Sequence, residues 1–176
     1  MERPEDESRV RETVWGPPGP LTAADLIDLS ADILERQGWR QFQMFDYPTT
    51  KEGWRKLFDD FDWYPFNEYG HEAGAGGIHR TALSACIYMR PEGFAECAVC
   101  ASGALNMAAY GVPYQPMYGE LPHYMELRLA LVLLEETLGG FAITEWNDLP
   151  QQTAEKVVKQ LRKVAADNRE ETDGAL

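Results

Sequence analysis

The chain of 176 residues carries 29 acidic against 16 basic side chains, a formal net charge of -13, with 44% apolar and 26% charged residues. This composition suits one globular domain. It excludes general nucleic-acid binding, which needs clustered Lys and Arg to neutralise phosphates, and no run of about 18 apolar residues exists to span a bilayer. The opening MERPEDESRVRE is charged where a secretory signal needs an apolar stretch, and an odd count of three cysteines argues for reduced thiols, so a cytoplasmic protein is expected.

Residues 1–20 hold mixed charge and then WGPPGP, whose prolines and glycines oppose regular structure, so a flexible arm is expected there. From Thr22 the pattern changes. Leu26, Ile27, Leu29, Ile33 and Leu34 recur at helical spacing, Thr22 and Asp25 have capping-box spacing, and Gly38 stands where a left-handed residue ends a helix; the spacing predicts a helix over 23–37.

Ten of the twenty aromatics fall between Phe42 and Tyr69, and seven acids accompany three bases over residues 42–72. Trp54, Leu57, Phe58 and Phe61 give one apolar face to a short helix over about 51–60. Four glycines within 70–77 predict a loop, and the apolar run 78–89 fits a buried helix or a strand equally well. After a turn at Arg90-Pro91-Glu92-Gly93, the alanine-rich stretch from Cys97 to Tyr110 reads as a helix ended by Gly111, with Ala101, Gly103, Ala104, Ala108 and Ala109 small enough for another helix to approach closely.

Beyond the loop GVPYQPMYGELP, residues 123–138 form a strongly apolar helix that Gly139-Gly140 ends, expected at the centre of the core. A last helix follows Thr153, a good N-cap, with Val157, Val158, Leu161 and Val164 on one face, and the tail 169–176 is expected to fray. The fold class is therefore mainly α: a single compact domain of four or five helices over 21–168, bearing an aromatic-acidic insertion and glycine loop at 42–77.

Cys97 and Cys100 have the spacing of half a zinc knuckle. Cys86, His71, His79 and His123 supply no second close pair, so no metal is expected, and no thioredoxin-like strand and helix alternation surrounds the two thiols. Neither does His71-Glu72 with His79 make a metalloprotease motif, which needs both histidines on one helix face. Cys100 alone is a candidate nucleophile, with His123 or His79 as base and Asn147 or Asp148 orienting that base. The competing role for Cys100 is a small buried residue packed against the Leu-rich helix, and for Asn147 and Asp148 a turn before Pro150.

Three stretches carry a resemblance: Leu26 through Gly38-Trp39; Cys100-Ala101-Ser102-Gly103-Ala104-Leu105 with Ala108-Ala109; and Glu145-Trp146-Asn147-Asp148 followed by Thr153 and Glu155-Lys156-Val157-Val158. In order and spacing they resemble a family of small actinobacterial and actinophage proteins with no assigned activity. The resemblance covers about half the chain and implies a shared helical fold and an actinobacterial or phage source. Cys100 matches the family cysteine and Cys97 does not.

The leading functional expectation is a non-enzymatic accessory protein, without cofactor, that binds a partner protein through Trp54, Trp63, Tyr64 and Phe66 of the aromatic-acidic block. The alternative is a thiol-dependent hydrolase or transferase acting through Cys100.

Overall fold

In the computed structural model the described residues are 17–45, 97–115 and 120–173. Thr22 opens helix α1 (Ala23–Gln37) with a full capping box: its hydroxyl accepts from the Asp25 amide at 3.1 Å while its own amide donates to the Asp25 carboxylate at 2.9 Å. Gly38, at φ 96°, ends it. These are the boundaries that the spacing predicts. Leu26, Ile27, Ala31 and Leu34 form a buried stripe, and among the described residues α1 packs against three of the four helices that follow.

Helix α2 (Ala101–Tyr110) starts four residues later than the sequence reading has it. The cause is Val99, whose amide donates to the Gly38 carbonyl and whose carbonyl accepts from Arg40, each at 3.1 Å. Residues 97–99 are thus drawn out beside the segment that leaves α1, and Val99 pairs with both Trp39 and Phe45. Cys97 is outside the helix and Cys100 is its N-cap.

The small residues of α2 do allow close approach, but at Gly103 the neighbour is backbone. A side chain on Gly103 would put its Cβ 2.2 Å from the Met44 carbonyl oxygen, so this position accepts only glycine unless the 38–45 segment moves away.

Helix α3 (Tyr124–Thr137) has the predicted extent but a different burial. Only Leu127, Ala130 and Leu134 are buried along it, while Met125 is 70% exposed, Leu129 53% and Val132 46%. The expectation of a helix apolar on nearly every side at the core centre is thus corrected. The core is closed by α1, α2 and α5, and α3 joins it through one stripe only.

Short helix α4 (Ile143–Asn147) leads through Pro150 to α5 (Ala154–Asp173), where Thr153 caps by accepting from the Lys156 amide at 3.3 Å. Val157, Leu161, Val164 and Ala165 are buried against the core. Helix α5 continues to Asp173, with Arg169 held by Asp25 at 3.1 Å and Asp28 at 3.2 Å.

The chain is mainly α. Among the described residues there is no sheet, and the isolated pairings that join two of them are those of Val99 with Trp39 and Phe45. Residues 1–16 of the arm, the 51–60 helix, the glycine loop, the 78–89 run, part of the proline and tyrosine loop at 116–119, and Trp54, Trp63, Tyr64, Phe66, His71, His79 and Cys86 all lie outside the described residues.

Candidate functional site

Asn147 meets its neighbour Asp148 and the backbone amide that follows Cys100. It ends α4, is fully buried, and uses its whole side-chain amide. Its Oδ1 accepts from Trp39 Nε1 at 2.7 Å and from the Ala101 amide at 3.1 Å, while its Nδ2 donates to the Asp148 carboxylate at 2.7 Å and the Arg40 carbonyl at 3.2 Å. Two acceptor and two donor positions make a primary amide complete. The residue is a clip joining α4, the first turn of α2 and the segment after α1.

Gln41 and Asp148 tighten the same clip. Gln41 Nε2 donates to the carbonyls of Asn147 and Leu149 at 3.1 and 3.0 Å, and Asp148 Oδ1 accepts from the Phe42 amide at 2.8 Å. Phe42 adopts φ 65°, and its side chain is 75% exposed. A left-handed backbone on a bulky aromatic costs on the order of 1–3 kcal/mol and persists only where its surroundings impose it. Here the Asp148 carboxylate and the Gln41 anchor impose it.

The aromatic block thus divides at its first two members. Phe45, three residues on, is fully buried with its ring edge-on to Tyr114, 5.6 Å between centroids. Phe42 faces solvent.

Cys100 sits beside this clip without access to it. It is 4% exposed, its amide donates to the Met44 carbonyl, and its Sγ accepts from the Gly103 amide at 3.3 Å as the helix cap. Burial pushes the thiol above its ordinary 9.0, and the charge of Asp148 adds to the rise; the amides of Gly103 and Ser102 pull the other way and are outweighed. An activated thiolate needs the reverse balance.

His123 is buried at the start of α3, where Nε2 donates to the Pro17 carbonyl at 2.8 Å. Among the described residues no hydrogen bond joins His123 to Cys100. Of the predicted catalytic group, Asn147 and Asp148 meet each other and the amide beside Cys100, whereas His123 is engaged by the N-terminal segment. No group of three His, Cys, Asp or Glu among the described residues is placed to hold a metal ion.

Trp39 and Gln41 are not among the site residues that the sequence points to, and Phe42 enters there only as the first member of the aromatic-acidic block. Trp39 had a signal in the Gly38-Trp39 ending of α1; Gln41 had none.

The chain belongs to a family of unknown function (DUF6197), matched over residues 18–167. Neither a curated protein nor a solved structure matches it.

Proposed function

We propose that this member of the family is a non-enzymatic accessory protein that binds a partner protein through an aromatic-acidic surface beginning at Phe42. The observation that supports it best is Phe42 itself: an aromatic ring displayed to solvent on a left-handed backbone that the Asp148 carboxylate holds through the Phe42 amide. A backbone held in place before encounter loses less freedom on binding, and aromatic anchors dominate interface energies. Trp54, Trp63, Tyr64 and Phe66 belong to the same block in sequence and would extend the surface. The family resemblance favours an actinobacterial cell or its phage as the source, and the net charge of -13 favours a protein partner over nucleic acid.

Thiol catalysis is the weaker reading, because Cys100 is closed off, its thiolate is disfavoured, and the Asn147 amide has no capacity left to orient a base.

The test is retention of host proteins on the immobilised chain, compared between wild type and Phe42→Ala, with Trp54→Ala and Trp63→Ala alongside. A discrete protein kept by wild type and lost from F42A, with thermal unfolding unchanged, supports the proposal; a partner held equally by all variants overturns it. Native iodoacetamide labelling covers the alternative. Cys100 should label far more slowly than in the denatured chain, and labelling as fast as an exposed low-pKa thiol would restore the catalytic reading.

A further inference from the structure

A cleft of about 740 Å³ opens between the start of α1, one face of α3 and the last turns of α5, at the other end of α1 from the Phe42 clip. Leu21, Leu129 and Leu133 give it an apolar floor, and Asp25, Glu126 and Arg169 its charges. Arg169 is already shared between the Asp25 and Asp28 carboxylates, and Arg162 binds Asp28, Asp32 and Glu35. Two guanidiniums therefore face four carboxylates on the α1 side, before Glu126 is counted.

Glu126 is the group left over. Its Oε2 is shut off from solvent and meets no hydrogen-bond donor among the described residues. Nearby, Tyr110 is buried with its hydroxyl likewise unmatched, and burial, then the charges of Tyr124 and Glu126, push the phenol up to about 12. It stays a neutral phenol that cannot offset the Glu126 charge. Glu126 also lines the cleft, so a cation seated there offsets its charge without reaching the enclosed oxygen.

We propose that this cleft receives a basic, aliphatic segment of a partner protein, one lysine or arginine meeting Glu126 while its apolar neighbours cover Leu129 and Leu133. The charge of the cleft selects a cation. The apolar floor selects a protein segment over a small amine, because Leu129 continues it onto the exposed Met125 and Val132 of α3, an area that a single ammonium group leaves uncovered. The proposal is independent of the Phe42 surface, which the following titration does not read.

The probe is a short acetylated and amidated peptide of leucine and lysine, titrated into the whole chain with methyl signals observed by NMR. It should move the Leu21, Leu129 and Leu133 methyls saturably. A leucine and glutamate peptide should leave them still, and spermidine should not compete. Glu126→Gln and Leu129→Ser should each weaken the interaction roughly tenfold with thermal midpoints no lower than wild type, the second lying on the surface where folding tolerates it. Unaltered affinity in both variants overturns the proposal. So does equal binding of a serine and lysine peptide or of spermidine, which would reduce the effect to bulk charge attraction, and so do shifts that never saturate at the cleft.

Discussion

Asn147 illustrates how a residue type that suggests catalysis serves architecture. Its amide joins three chain segments, and Trp39, one of its donors, is 108 positions away in sequence. Replacing it with alanine leaves the Trp39 indole and the Ala101 amide without an acceptor in a buried place; unmatched buried donors cost about 1–3 kcal/mol each. Asn147→Ala should therefore lower unfolding free energy in urea by about 3 kcal/mol, and a change within about 0.5 kcal/mol would show that the clip is dispensable. The Trp-Asn-Asp sequence is legible as a turn before Pro150. The bonds that explain it are not, because hydrogen bonds between distant segments leave no periodicity. Gly103 teaches the same lesson: its smallness signals close approach, but that the approaching atom is the Met44 carbonyl follows only from the structure.

At the scale of elements, both ends of α1 and the start of α5 follow from caps, which act within one turn, and the extent of α3 follows from spacing alone. The start of α2 does not, because a tertiary contact at Val99 overrides alanine's preference for helix. Nor does the burial of α3, since an apolar sequence does not say how many neighbours are available to cover it. The α1 and α5 pairing adds a charge ladder. The Thr22 amide, then its hydroxyl, and after these Arg169 hold Asp25 below the usual 3.8 despite burial. For Asp28 burial is the largest influence and raises it, yet Arg162 and Arg169 together outweigh it and leave it lowered.

A carboxylate lowered in the folded state stabilises above its unfolded value. As pH falls, the unfolded chain takes up protons first, and the contribution is lost through the folded value below 3.8. Thermal midpoints should thus drop on acidification below about pH 4, and Arg162→Met with Arg169→Met should flatten the Asp28 share of that drop. These side chains are partly exposed, so the double variant should cost only about 1 kcal/mol near neutral pH. An acid profile identical to wild type would remove the ladder from the account.

For the whole molecule, the helices and clip combine to hold the backbone that carries one exposed ring. Helix α1 delivers Trp39 through Phe42 to its C-terminal end, α4 delivers Asn147 and Asp148, and the first turn of α2 is tied between them. The thiol that first attracts notice serves as a helix cap inside this junction. Protein binding at Phe42 makes sense of the arrangement, because a scaffold that locks a left-handed phenylalanine into solvent gains nothing for its own core. Site-specific photo-crosslinking in the native host tests this most directly, with benzoylphenylalanine placed at position 42 and, as a control, at the exposed Lys159 of α5. Binding through this surface predicts a discrete protein adduct from position 42 and none from position 159; no adduct at 42, or the same adduct from both positions, would contradict it.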